Sequence, residues 1–93
     1  MIRSFASKAA EAIFNDHKSP ELPSTNQKTA RRKLVQIDIA QNLNDLRVPP
    51  GNHLEALKGD RIGQHAVRIN VQWRICFKWT PEGAEDVEIV DFH

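Results

Sequence analysis

Within residues 54–79, apolar and polar residues alternate on either side of residues 70–72. Alternation with a period of two predicts β-strands, and the short polar segment between the two runs predicts a tight turn. We therefore expect an antiparallel hairpin centred on Val71. The register of this hairpin creates a mostly apolar surface from three pairs: Ile69 with Trp73, Val67 with Ile75, and His65 with Phe77.

The other surface of the predicted hairpin places Arg68 directly opposite Arg74. Like charges at facing positions destabilise a sheet unless they separate into water or bind an anion. Lys58 and Arg61 lie just upstream, and Lys78 is on the same face, so we favour an anion site. The alternative is a set of exposed charges that serve only solubility.

Two helices are predicted in the N-terminal half. Ser7 is a plausible N-cap for a short helix that ends near Asn15. Ser24 with Gln27 fits a capping box, and the apolar residues that follow recur at spacings of three and four as far as Leu46. This second segment predicts the longest helix of the chain.

The remaining segments complete the layout. We expect an edge strand at residues 2–5, a mobile surface loop at residues 17–23, a turn at residues 81–84 and a final strand at residues 87–92. The order predicts an α+β fold, a small antiparallel sheet with two N-terminal-half helices packed on one face. Ninety-three residues suffice for one core, so we expect one domain over residues 1–93.

Composition narrows the protein class. The single cysteine, Cys76, excludes an internal disulfide and a multi-cysteine zinc site. No apolar run approaches the roughly 18 residues of a membrane span, and the N-terminus lacks the continuous apolar core of a signal peptide. We therefore expect a cytoplasmic protein.

Charge is segregated along the chain although the net charge is only +1. Residues 47–78 contain six basic and two acidic residues, a net charge of +4. Residues 80–93 contain five acidic residues and no Lys or Arg, a net charge of −5. A local basic surface can bind phosphates even when the total charge is near zero.

Several enzyme classes lack their sequence motifs here. There is no Gly-rich phosphate loop, no HExxH and no GxSxG, and the four histidines at positions 17, 53, 65 and 93 have no metal-ligand spacing. RNA cleavage by attack of its own 2′-hydroxyl needs no metal or cofactor. It needs a base, an acid and charge stabilisation of the phosphoryl oxygens, for which histidines and Arg68, Arg74 and Lys58 are available.

Residues 54–79 (LEALKGDRIGQHAVRINVQWRICFKW) and the terminal VEIVDFH resemble the HigB-type toxins of the RelE/ParE superfamily. The segment PPGNHLEALKGDRIGQ is especially similar to the subgroup that contains the toxin GraT. The order of elements and the initial MIRSF are similar too, so the resemblance covers nearly the whole chain. It implies a small sheet backed by helices.

The resemblance also implies a function and partners. Such a toxin belongs to a type II toxin–antitoxin system, enters the A site of the 30S ribosomal subunit and cuts messenger RNA. A HigA-like helix-turn-helix antitoxin neutralises it, and operator DNA is contacted only through that antitoxin. The alternative is a non-cleaving toxin that blocks the ribosome or poisons DNA gyrase, although ParE-like members lack the terminal Asp-x-His.

By resemblance, Lys58, Arg68 and Arg74 match basic positions that hold the phosphate, and Asp91 and His93 match C-terminal active-site residues. Arg68 and Arg74 would clamp the scissile phosphate, His93 would transfer protons and Asp91 would orient it. Arg61 and Lys78 are the further expected phosphate-binding residues.

Two positions depart from the family pattern. Glu55 stands where a well-known HigB enzyme has an active-site histidine, and Phe92 stands where it has a tyrosine. His53 lies two residues before Glu55 and would share its side of an extended backbone, so it is a candidate for partial substitution of the missing histidine. The alternatives are that cleavage is slower in this chain or that His93 carries more of the acid/base work.

Overall fold

The computed structural model describes residues 1–92, and in this part of the chain four antiparallel strands form one sheet. The strands lie in the order of the sequence: β1 Glu55–Ala56, β2 Gln64–Arg68, β3 Trp73–Thr80 and β4 Gly83–Asp91. Two α-helices precede them, α1 Lys8–Phe14 and α2 Ser24–Ile39. Short 3-10 helices occupy Leu43–Arg47, Pro50–Asn52 and Gly59–Arg61.

The central hairpin has the predicted register. Arg68 pairs with Arg74, Val67 with Ile75 and His65 with Phe77. The turn is closed by one side chain, because Asn70 Oδ1 accepts hydrogen bonds from the backbone N–H groups of Gln72 at 2.9 Å and Trp73 at 2.8 Å. Asn favours turns for this reason.

Both helices pack on one face of the sheet, which confirms the predicted α+β layout. The buried residues of this interface come from α1, α2 and three strands: Ala10, Ile13, Leu34, Ile37, Val67, Ile75, Phe77 and Val87. Full burial of one such aliphatic or aromatic side chain stabilises the fold by about 1.5–3 kcal/mol. Helix α1 begins as predicted, with Ser7 Oγ accepting from the N–H of Ala10, and its C-cap is Asn15, near which its end was predicted.

The N-terminal segment extends the sheet beyond β4. Ile2 and Phe5 form isolated parallel bridges with Ala84 and Val87, so the predicted edge position is confirmed, although the pairing is not a continuous strand. The chain passes so close that a Cβ at Gly83 would lie 2.0 Å from the carbonyl oxygen of Met1. Only glycine fits there.

The long helix is shorter than predicted, since α2 ends at Ile39 and does not continue to Leu46. Ala40 is extended, and the side chains of Asn42 and Asp45 form a reciprocal capping box that starts a separate 3-10 helix. Asn and Asp compete with helix hydrogen bonds in this way. Leu46 still reaches the core, which is why its spacing fitted the helical pattern.

The predicted capping box at Ser24 is wrong. Pro23 occupies the N-cap and makes no side-chain bond. The amide of Gln27 instead donates to the carbonyls of Ser19 at 2.6 Å and Leu22 at 2.8 Å. Residues 17–23 form a loop as predicted, but its Leu22 is buried in the core, so the segment is not confined to the surface.

The final strand begins earlier than predicted. Thr80 pairs with Gly83, so the turn contains only Pro81 and Glu82. An irregularity in the ladder opposite residues 76–78 inserts an extra residue into β4, and Asp86 there has a φ of 53°. This β-bulge changes which residues of β4 share a face.

Asn52 is a buried polar residue that ties the loops before β1 to α2. Its Oδ1 accepts from Lys33 Nζ at 2.5 Å, and its Nδ2 donates to Gln36 Oε1 and to the carbonyl of Leu46, both at 3.1 Å. Burial, with a smaller contribution from the charge of Arg32, holds the pKa of Lys33 below its ordinary value.

Replacing Asn52 by Ala should therefore destabilise the protein. Asn52→Ala leaves Lys33, Gln36 and a buried carbonyl without their partner, and we expect the free energy of unfolding to fall by about 3 kcal/mol. Urea denaturation measures this. Asn44→Ala is the control, since Asn44 is exposed, and a loss of equal size in that variant would contradict the role given to Asn52.

His65 is held on the apolar face. Its ring stacks on Phe77 with centroids 6.5 Å apart, and within residues 1–92 its buried Nδ1 has no hydrogen-bond partner. Desolvation by burial, and to a smaller extent the charge of Arg47, lowers the pKa of His65 below its ordinary value. His65 is therefore a neutral packing residue near neutral pH.

Stability should depend on pH through this residue. The unfolded chain takes up a proton at His65 near pH ~6.5, whereas the folded chain resists protonation, so stability falls as the pH drops below that value. We expect a larger loss of unfolding free energy between pH 7.5 and 5.5 in the wild type than in His65→Gln. Equal losses in urea denaturation would show that other groups carry the pH dependence.

Candidate functional site

Four predicted site residues lie at the same end of the sheet. Arg68 ends β2, Arg74 lies near the start of β3 and Asp91 ends β4, which antiparallel pairing brings to one edge. His53 lies two residues before β1, and the antiparallel β1–β2 register places the start of β1 beside the end of β2. The predicted His93 lies outside the described residues.

Arg68 and Arg74 form the centre of this end. They face each other directly, so their Cβ atoms are about 5 Å apart. The two guanidinium groups share an acceptor, since Arg68 Nε donates to the carbonyl of Asn70 at 3.2 Å and Arg74 Nη1 donates to the same oxygen. Arg74 Nη1 also donates to the carbonyl of Val71 at 3.2 Å.

Strand β4 neutralises two of the other predicted phosphate-binding residues. Arg61 Nη1 lies 2.6 Å from Glu88 Oε1, and Lys78 Nζ lies 3.7 Å from Asp86 Oδ2. The segregated charges of the sequence therefore meet in space. Among the described residues, the predicted cations that make no ion pair are Lys58, Arg68 and Arg74.

Arg61 also closes the sheet face opposite the helices. Ala66, Cys76 and Glu88 lie side by side on β2, β3 and β4, and Arg61 reaches Glu88 from the loop before β2. Ala66 and Cys76 are fully buried as a result. Burial raises the pKa of Cys76 to about 11, so this thiol stays protonated and is not a nucleophile.

Lys58 lies at the other end of the sheet. It follows β1 and lies level with the first residue of β2, whereas Arg68 is the last residue of β2. The length of β2 between these two levels is roughly 13 Å. Gly59 and Gly63 have positive φ values of 63° and 90°, which let the exposed 58–63 loop turn back into β2. Lys58 is thus a contact at a distance from the Arg68–Arg74 pair.

His53 does not meet the condition under which it would substitute for the missing histidine. The backbone of His53 is left-handed, with φ 46° and ψ 50°, so His53 is not part of the extended segment that contains Glu55. The side chain is exposed. His53 therefore lies at the correct end of the sheet but not on a shared strand face with Glu55.

The end of β4 is bound to the hairpin turn. Asp91 pairs with Trp73, so by strand alternation it lies on the same side of the sheet as the helices. Its Oδ2 accepts from Gln72 Nε2 at 3.0 Å. The N–H of Phe92 donates to the carbonyl of Gln72 at 2.7 Å. The Phe92 ring packs against Arg74, whose Cζ lies 5.5 Å from the ring centroid.

Other site types find no support in the described part of the chain. Within residues 1–92 no three His, Cys, Asp or Glu side chains come together where a metal ion could bind. No helix in this range has the length and apolarity that crossing a membrane requires.

Comparison with known proteins identifies the family. Residues 3–93 match the model of the HigB-like toxins, described as RelE-like toxins of the type II toxin–antitoxin system HigB. The chain belongs to the HigB-like toxin family. Its relatives include Toxin HigB-1 of Vibrio cholerae serotype O1, which is 40% identical over 80 residues, 85% of this chain and 84% of that protein. Endoribonuclease HigB of Proteus vulgaris is 28% identical over 93 residues, the full length of both chains.

This membership confirms the resemblance to HigB-type toxins, and placement in the GraT subgroup stays a prediction. A type II system pairs each toxin with a protein antitoxin, so this HigB-like toxin has an antitoxin partner. The roles of individual residues also stay predictions, because the family match assigns none of them.

Three residues of the site were not singled out from the sequence. Asn70 and Gln72 were assigned only to the turn, although an Asn at the start of a turn is a signal for side-chain closure. Glu88 was counted only as one of five acidic residues. Glu88 lies on β4, whereas Arg61 lies in the loop before β2. Hydrophobic periodicity within either segment does not indicate a contact between them.

Removing the charge of Glu88 should strengthen RNA binding by this HigB-like toxin. Glu88→Gln leaves Arg61 without a counter-ion and free to contact a phosphate. We expect tighter binding of a single-stranded oligoribonucleotide, with the slope of log K against log salt steeper by about 0.7. Glu82→Gln, which removes the same charge from the exposed turn, is the control. Equal slopes in the two variants would count against a latent role of Arg61.

Proposed function

We propose that this HigB-like toxin is an endoribonuclease that cleaves messenger RNA in the ribosomal A site without a metal ion. The observation that carries the proposal is the Arg68–Arg74 pair, two facing guanidinium groups with no carboxylate partner among the described residues. The name Endoribonuclease HigB of the Proteus vulgaris relative supports the same activity.

The Arg68–Arg74 pair suits a phosphate undergoing attack by the neighbouring 2′-hydroxyl. Both side chains now donate to the neutral carbonyl of Asn70. Exchange of this acceptor for phosphoryl oxygens would replace bonds to a neutral carbonyl with bonds in which both the donor and the acceptor are charged, a combination for which the guanidinium geometry is well suited. The negative charge that grows in the transition state strengthens these bonds further, and this is the condition for catalysis.

Proton transfer needs an acid and a base at the same end of the sheet. The resemblance assigns this work to His93, with Asp91 orienting it. His53, which is exposed and precedes β1 at this end of the sheet, is a second candidate. Phe92 keeps an aromatic ring beside Arg74 but has no hydroxyl to supply a proton. The proton must therefore come from another group, for which His93 is our candidate.

The remaining cations fit an RNA strand that follows the sheet. Lys58 and Arg68 lie at opposite ends of β2, which is roughly 13 Å long. Arg61 and Lys78 are held by Glu88 and Asp86, and a phosphate would have to compete with these carboxylates. We therefore assign the anchoring contacts to Lys58, Arg68 and Arg74.

We further propose that the partner is a HigA-like helix-turn-helix antitoxin. In this proposal the toxin acts on 30S subunits and their messenger in the cytoplasm, and it reaches operator DNA only through the antitoxin.

Arg74→Ala should abolish cleavage. We expect cuts in a translated messenger to fall by about 10²–10³-fold, the usual loss for one donor to a developing oxyanion. The measurement is 5′-end mapping in a purified translation system, with and without ribosomes. Circular dichroism checks the fold, and Arg74→Lys, which keeps the charge but lacks the planar fork, should recover only part of the activity.

Arg32→Ala is the matched control, since Arg32 is an exposed arginine on α2 and its side chain bonds only to Thr29 among the described residues. It should cleave as the wild type does. Full cleavage by Arg74→Ala would overturn the phosphate role. Arrested translation without new 5′ ends in the wild type would overturn cleavage and favour a toxin that only blocks the ribosome.

A further inference from the structure

We infer that Gln72 is a positioning residue that holds the C-terminal end of β4 in place for catalysis. This inference rests on the proposed endoribonuclease function and adds to it a residue on the hairpin turn, outside the predicted site. Gln72 binds two consecutive residues. Its Nε2 donates to Asp91 Oδ2 at 3.0 Å, and its carbonyl accepts from the N–H of Phe92 at 2.7 Å.

Gln72 can hold these residues because it is itself fixed. Asn70 Oδ1 accepts from the N–H groups of Gln72 and Trp73 at 2.9 Å and 2.8 Å. Trp73 then begins β3, where it pairs with Asp91. The side chain of Gln72 therefore starts from a backbone with little freedom, and its amide meets Asp91 without reordering the turn.

The same turn also orients the phosphate-binding arginine. Arg74 donates to the carbonyls of Asn70 and Val71, and its guanidinium packs on the ring of Phe92. Turn, arginine and C-terminal residues form one connected unit. A displacement of Asp91 and Phe92 would change their position relative to Arg74, the group proposed to bind the phosphate.

The Gln72–Asp91 bond is more important for geometry than for stability. The bond is exposed to solvent, and such bonds contribute little to the free energy of unfolding. A misplacement of reacting groups by about 1 Å can nevertheless cost as much as 10²-fold in rate. A positioning role therefore predicts a loss of rate with an unchanged melting temperature.

The test is Gln72→Met, which keeps the length of the side chain and removes the donor. In the purified translation system we expect cleavage to fall about tenfold at saturating ribosomes, with the same half-saturating ribosome concentration and melting temperature. Val71→Ala, a change at the exposed tip of the same turn, should leave all three quantities unchanged. Wild-type cleavage by Gln72→Met would overturn the inference.

A double-mutant cycle separates positioning from general disturbance of the turn. If Gln72 acts through Asp91, adding Gln72→Met to Asp91→Ala should lower cleavage no further. If cleavage by the double variant instead falls by the product of the two single-variant losses, Gln72 acts by another route and the inference is wrong.

Backbone order separates this inference from the proposed function. NMR order parameters of the Asp91 and Phe92 amides should fall in Gln72→Met and not in Val71→Ala. Unchanged order overturns the positioning role whether or not the protein cleaves RNA. If the wild type makes no cuts and order still falls, the proposed function is wrong, and Gln72 orders Asp91 and Phe92 without a role in cleavage.

Discussion

The closure of the β2–β3 turn by Asn70 is the constraint on which the rest of the structure depends. Its side-chain oxygen binds two successive backbone N–H groups and so fixes where the chain reverses. A slip of one residue would exchange the two faces of the hairpin. Val67 and Ile75 would then leave the helix-packed core, and Arg68 and Arg74 would enter it. One local interaction thus decides both which residues enter the core and which face carries the two arginines.

The predicted phosphate-binding residues differ in whether they have an acidic partner. The acidic strand β4 lies beside the basic hairpin, and Glu88 and Asp86 neutralise Arg61 and Lys78. Lys58 and the two facing arginines keep their charge without an acidic partner in the described part of the chain. Two of these three cations, Arg68 and Arg74, lie at the end of the sheet where β4 finishes, and Lys58 lies at the opposite end. A count of basic residues could not reveal this, because it gives every cation equal weight.

Sequence reasoning succeeded where the determinants are local. The hairpin register follows from strict alternation about a polar turn, and the Ser7 cap follows from one hydroxyl and the helix formers after it. Sequence reasoning failed where a side chain hydrogen-bonds to a residue that no local pattern indicates. Gln27 bonds to the preceding loop, so the cap at Ser24 does not form. Asn42 and Asp45 start a separate 3-10 helix, so the helix predicted to reach Leu46 ends earlier.

The candidate site shows the same division. The facing arginines were predicted because cross-strand pairing follows from the register alone. The Arg61–Glu88 pair, the left-handed backbone of His53 and the contacts of Gln72 depend on how loops return to the sheet, which no periodic pattern encodes.

The cost of placing two arginines opposite each other bears on the phosphate role proposed for them. Two like charges at facing positions cost up to about 1 kcal/mol relative to neutral pairs. Elsewhere in the same sheet the cost is avoided, since Lys78 lies opposite Glu85 and close to Asp86. A carboxylate opposite Arg74 would avoid the cost in the same way. In this chain both arginines instead donate to the carbonyl of Asn70, which keeps them close together at the position of the proposed phosphate.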